Sequence, residues 1–206
     1  PELHGIFPCP VWVAKRDSNL SSLEDKDIED IIKEGMKKSR AGNSISNNTY
    51  IFNSKLKEIK QFCEQQIKIY VEQVINPVEE ELDFYISQSW LNVTQPGGGH
   101  HQHFHSNSII SGVFYISTEE DDKIKFLDPN VKLKEYISFD QEFNVWNSST
   151  WTYPVRNNLL ILFPAWLDHG VTQNLNATRD RISLAFNVFV KGSIGMQGRL
   201  SELILQ

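Results

Sequence analysis

The ten residues RDRISLAFNV, Arg179–Val188, read with a period of two. Arg179, Arg181, Ser183, Ala185 and Asn187 fall on one side of an extended chain. Ile182, Leu184, Phe186 and Val188 fall on the other, because successive strand side chains point to opposite faces. The apolar side reads as core. The other side, two arginines and a serine followed by small or polar residues, predicts a polar pocket. The same period extends outward through FYISQSWLNVT (Phe84–Thr94), SGVFYIS (Ser111–Ser117), KIKFLD (Lys123–Asp128), TWTYPV (Thr150–Val155) and NLLILFP (Asn158–Pro164). Turn-rich segments such as QPGGG and LDPN separate these strands. Successive strands without intervening helices predict an antiparallel sandwich or barrel.

Before Asp83 the period is helical. Leu20–Ser39 places Leu23, Ile28, Ile31, Ile32 and Met36 on one stripe, with Ser21 or Ser22 as the cap. Asn53–Asn76 repeats the pattern at Leu56, Ile59, Cys63, Ile67, Val71 and Val74, and Pro77 stops it for want of a backbone donor. Each helix has one apolar stripe, so both are expected to cover a sheet. With no repeat and no low-complexity linker, one domain is expected: helical support over 1–82, a β core over 83–190 and a C-terminal extension over 191–206.

The 206 residues are 40% hydrophobic and 22% charged, with a net charge of −6. That balance argues against nucleic acid or an anionic membrane as partner, since both call for basic surface. Two distant cysteines, Cys9 and Cys63, make no disulfide framework. No leader pattern and no apolar run of roughly 20 residues is visible, which predicts a soluble, cytoplasmic protein. Oligomeric state is not written in the sequence.

Four of the six histidines fall within GGGHHQHFHSNS, Gly97–Ser108. The glycines follow a strand and lead into aromatic and β-branched residues, which does not suit a phosphate cradle at a helix N-terminus. On an extended chain His103 and His105 face the same way, and Phe104 points away into apolar packing. His101 shares their parity as a spare, whereas His100 is out of phase. Imidazole suits Fe, Zn, Cu or Ni, and His169 in LFPAWLDHGVTQN is the remaining candidate for a third ligand. Inward-facing Arg181 would bind a carboxylate in bidentate fashion, with the Ser183 hydroxyl adding a donor.

Taken together, SWLNVTQPGGGHHQHFHSNSIISGVFYI, KFLDPN and LLILFPAWLDHGVTQN…RDRISLAFNV resemble the Fe(II)- and 2-oxoglutarate-dependent oxygenases. They are similar to a subgroup found in phages and marine bacteria, whose N-terminus the early GIFPCPVWV also resembles. The resemblance implies a mainly β fold with flanking helices: a double-stranded β-helix (jelly-roll, cupin-like) core packed by N-terminal helices. It implies iron ligation by His103, His105 and His169, with His105 standing where the family usually has a carboxylate. Arg181 and Ser183 match the residues that hold the far carboxylate of 2-oxoglutarate, with Arg179 as fallback and Asn92 and Tyr115 as further cosubstrate contacts. Asp168, next to His169, would hold that ring by a hydrogen bond. The implied activity is O2-dependent hydroxylation of an unidentified substrate, with substrate choice residing on loops such as Phe139–Ser149. Two other readings stay open: a three-histidine cupin-like dioxygenase or isomerase that does not use 2-oxoglutarate, and a catalytically silent β-helix binding module.

Overall fold

A computed structural model describes residues 2, 4–39, 42–78, 82–129 and 144–205. Residues 139–143 of the expected substrate-choosing loop lie outside them. In chain order the elements are β1 (Trp12–Lys15), α1 (Ser22–Glu34), β2 (Met36–Lys38), β3 (Asn43–Ser46), α2 (Lys57–Tyr70), β4 (Asp83–Thr94) and β5 (His100–His103). There follow β6 (Ile110–Ser117), β7 (Lys123–Leu127), β8 (Thr150–Pro154), β9 (Leu159–Pro164), β10 (His169–Val171), β11 (Arg181–Ile194) and β12 (Leu203–Leu205). Among the described residues the strands form two antiparallel sheets. The major sheet runs β1-β9-β6-β11-β4-β3-β2, with β12 on the far end of β11; the minor sheet runs β5-β10-β7-β8.

The period-two reading of β11 is realised in the packing. Leu184, Phe186 and Val188 enter a core that the major sheet shares with Ile28 and Ile31 of α1 and Ile59, Cys63 and Ile67 of α2. A second core between the sheets holds Tyr115, Ile161 and Phe163 from the major sheet and Ile124 and Phe126 from the minor one. The helices therefore cover the outer face of the major sheet. Its inner face, with Arg181, Ser183 and Ala185, is turned toward the minor sheet and lines the cavity there. No helix among the described residues is long and apolar enough to cross a membrane.

The front of the chain is less purely helical than its periodicity suggested. Ser21 caps α1 through a reciprocal box with Glu24, as the sequence indicated. The helix stops at Glu34, however, and Met36–Lys38 pairs with β3, which in turn pairs with β4. α2 starts only at Lys57, because Leu56 is left-handed at φ 54° and its N–H is taken by Asp27 at 2.7 Å. Arg16, just past β1, is buried against Glu24 at 2.9 Å and also reaches Glu58 of α2 at 3.1 Å. One guanidinium thus ties the first strand to both helices, and the segment expected as helical support also supplies three strands of the major sheet.

Candidate metal centre

His103 ends β5 and His169 opens β10, and the two are register partners across the minor sheet. His105 follows β5 by two residues, and its N–H is held by the Ala165 carbonyl at 3.0 Å. The three rings converge. Centroids are 4.4 Å apart for His103 and His169, 5.0 Å for His103 and His105, and 5.2 Å for His105 and His169. One ligating atom from each lies within 4.8 Å of the other two. Phe163 abuts His169 edge-on at 4.6 Å, and the Trp90 ring lies 5.8 Å from that of His105.

Hydrogen bonds fix the tautomer of two of these rings. Nδ1 of His103 lies 2.9 Å from the His101 carbonyl, and Nδ1 of His169 lies 2.9 Å from the Leu167 carbonyl. A carbonyl only accepts, so Nδ1 carries the proton and the Nε2 lone pair is free for a metal. Burial lowers His105 to about 4 and His169 to about 3, aided by the neighbouring histidines, and burial also lowers His103. All three are therefore held neutral, the form that ligates. The partner of His169 is the Leu167 carbonyl, the role expected of Asp168.

The other two histidines depart from the parity argument. His100 lines the cavity and is lowered to about 3 by burial, whereas His101 is exposed. The reason is a bulge: His169 pairs with His103 but Val171 pairs with His100, so three steps on β5 face two on β10 and the phase slips by one residue. Gly170 permits it, since a Cβ there would meet the His100 carbonyl oxygen at 3.0 Å. His100, His101 and His103 form a second group within 4.8 Å, sharing His103 with the first. Phe104 does point away from the rings but lies 59% exposed, in solvent and not in the expected apolar packing.

His100, His103, His105 and His169 line a cavity together with Asn92, Ser111, Val113, Tyr115, Arg181 and Ser183, among others. Arg181 is 6% exposed and donates from Nη1 to Asp122 at 2.9 Å. Asp122 is held in turn by the Glu119 N–H at 2.8 Å and by Asn174 at 3.3 Å. Arg181 Nη2 and the Tyr115 hydroxyl are both buried without a hydrogen-bond partner. Two unused donors on the wall facing the histidines suit a carboxylate. Asn92 is engaged by Asn43 at 3.1 Å, and Ser183 lines the same wall. Arg179 lies outside: its side chain is 71% exposed and tied to Glu119 at 3.2 Å. Asp122 and Asn174 escaped the sequence reading. An inward arginine requires a buried counter-ion, but nothing in the EEDD turn says which acid a residue 59 positions away will reach.

Residues 88–187 match the profile of a family described as "Putative 2OG-Fe(II) oxygenase". No curated protein matches the chain. Among solved structures it resembles a prolyl hydroxylase from Trichoplax adhaerens in complex with a hypoxia inducible factor peptide fragment (TM-score 0.59, 11% identity, 87% of this chain and 83% of that one). It also resembles HygX from Streptomyces hygroscopicus with nickel, 2-oxoglutarate and hygromycin B bound (TM-score 0.57, 10% identity, 87% and 82%). A prolyl-4-hydroxylase from Pseudomonas putida is similar too (TM-score 0.54, 14% identity, 85% and 91%). At these identities the structures speak to fold, and they agree with a jelly-roll core. The profile match over residues 88–187, on a chain with this fold, relates the protein to the 2-oxoglutarate/Fe(II) oxygenases, a family of enzymes.

Proposed function

We propose that the chain binds Fe(II) through His103, His105 and His169, binds 2-oxoglutarate with its far carboxylate on Arg181, and hydroxylates an organic substrate. The observation that carries this reading is one cavity holding three neutral histidines and, across from them, two buried donors without partners, Arg181 Nη2 and the Tyr115 hydroxyl. When bound, iron and 2-oxoglutarate supply the oxidising power, consuming O2 and releasing succinate and CO2. The chain's own residues bind and orient. His103 and His169 present Nε2 because their Nδ1 protons are committed to carbonyls. Asp122 occupies one side of the Arg181 guanidinium and leaves Nη2 for an anion. Tyr115, whose hydroxyl burial keeps protonated, offers a second donor. Phe163, Val113 and Trp90 exclude water around the histidines.

An enzyme that used three histidines without 2-oxoglutarate would have no use for a buried guanidinium presenting a spare N–H. The test is anaerobic titration with Fe(II) and then 2-oxoglutarate, followed by the weak visible charge-transfer band of the chelate. The wild type is expected to show the band, His169→Ala to lose it, and Arg181→Ala to need at least tenfold more 2-oxoglutarate, the cost of about 1.4 kcal/mol of charged hydrogen bonding. No band in the wild type ends the oxygenase reading. A band unchanged in His169→Ala removes His169 from the ligand set.

A further inference from the structure

Four buried side-chain atoms lack a hydrogen-bond partner among the described residues, and they form two pairs. Arg181 Nη2 and the Tyr115 hydroxyl make the anion end of the cavity. Ser111 Oγ, on the cavity wall, and Asn187 Oδ1, on the residue paired with Ser111 across the sheet, make the second pair. Asn187 shares the inward face of β11 with Arg181, Ser183 and Ala185, and six residues of strand put it about 20 Å from Arg181 along the backbone. Its register partner on β6 is Ser111, which lines the cavity. Between the two ends, Ala185 pairs with Val113 on one side and Trp90 on the other, and Trp90 faces His105. The inner wall therefore runs from a cationic end, past an apolar stretch beside the histidines, to a neutral polar end.

Ser111 is 2% exposed and Asn187 8%. Leaving a hydroxyl and a carboxamide oxygen unpaired at that depth is unfavourable, so the site is complete only when something else supplies the bonds. The chemistry of the pair defines that partner. Asn187 Oδ1 requires a donor, and the Ser111 hydroxyl can give or take a proton. An alcohol or a carboxamide satisfies both at once, by donating O–H or N–H to Asn187 and accepting from Ser111. Charge narrows the choice. Among the described residues Arg181 is the one charged side chain that lines the cavity and no carboxylate does, so an ammonium finds no counter-ion and a carboxylate is drawn to the other end.

We propose that Ser111 and Asn187 form a substrate subsite for an uncharged hydrogen-bonding group, a hydroxyl or a carboxamide, anchoring the substrate on the side of the histidines away from Arg181. The proposal builds on the oxygenase reading, which reserves the Arg181 end for 2-oxoglutarate.

Acetamide, acetate and methylammonium are suitable probes, titrated into the full isotope-labelled chain while the Asn187 and Ser111 amide resonances are followed. Acetamide is expected to give saturable shifts centred on Asn187 and Ser111, acetate to act near Arg181, and methylammonium to do neither. Ser111→Ala should weaken acetamide at least about tenfold. Asn187→Asp, nearly isosteric, should invert the preference so that methylammonium binds and acetamide weakens; a merely structural asparagine would not produce that reversal. Acetamide shifts that are absent, or unaltered in Ser111→Ala, overturn the subsite. The same samples titrated with 2-oxoglutarate separate the two ideas. Intact 2-oxoglutarate binding without an acetamide response defeats the subsite alone, and an acetamide response without 2-oxoglutarate binding defeats the oxygenase reading.

Discussion

At the scale of single residues, the unusual feature is where the negative charge sits. The resemblance leads one to expect a carboxylate where the sequence has His105. A carboxylate is nonetheless present behind the cavity wall, on Asp122, 2.9 Å from Arg181 and 2% exposed. Arg181 is thereby a compensated cation before any anion arrives. Asp122→Asn leaves a buried guanidinium without its counter-charge and should cost about 3 kcal/mol of stability, as for other broken buried pairs. Glutarate, a dicarboxylate that lacks the keto group, should then stabilise the variant more than it stabilises the wild type, because it supplies the missing charge. Urea unfolding with and without glutarate reads both effects; an equal or smaller glutarate increment in the variant would refute the charge argument. Spacing and parity singled out His103, His105 and Arg181, His169 was the remaining candidate, and the structure brings the four to one cavity. They did not disclose Asp122, whose role depends on a contact between distant turns.

At the scale of elements, long strands were legible and short ones were not. β4, β6, β7, β8, β9 and β11 each carry five or more residues, enough for a period to show, and the structure has them within a few residues of the expected ends. β5 and β10 carry four and three. Their existence depends on pairing with each other and with β7, and so does the bulge that swaps His100 for His101. Element joints depend equally on distant partners. Glu119, after β6, accepts from the N–H and hydroxyl of Thr178 and the N–H of Arg179, which precede β11. These bonds, the Thr178 N–H foremost, lower its pKa from 4.5 to about 2. The folded value is below the unfolded one, so the stabilisation is complete above about pH 4.5 and is lost as pH falls toward 2. Glu119→Gln should therefore be less stable than the wild type at pH 7, with the gap narrowing by pH 3 in urea unfolding. A gap that stays constant with pH would mean that the carboxylate charge is not what holds the joint.

At the scale of the molecule, the two halves of the cavity belong to different sheets. The histidines come from β5, β10 and the turn after β5, whereas Arg181, Ser183 and Tyr115 come from β11 and β6 of the major sheet. The alternating pattern of β11 announced such a cavity, since a strand with a greasy face and a polar face needs one partner layer for each. Which layer faces which was not legible, because period two says nothing about pairing order. A ligand held by both sheets should stabilise the whole fold in two separable steps. Ni(II), an air-stable ion that imidazole accepts, binds the minor sheet alone, and 2-oxoglutarate then adds the major sheet. At about 100 times its dissociation constant each should contribute about 2.7 kcal/mol, or roughly 5–10 °C in melting temperature for a chain of this length. With every variant measured against its own metal-free baseline, His169→Ala should lose the nickel increment. Arg181→Ala should keep the nickel increment and lose most of the one from 2-oxoglutarate. Equal 2-oxoglutarate increments in Arg181→Ala and the wild type would detach the major sheet from the site and confine ligand binding to the histidine layer.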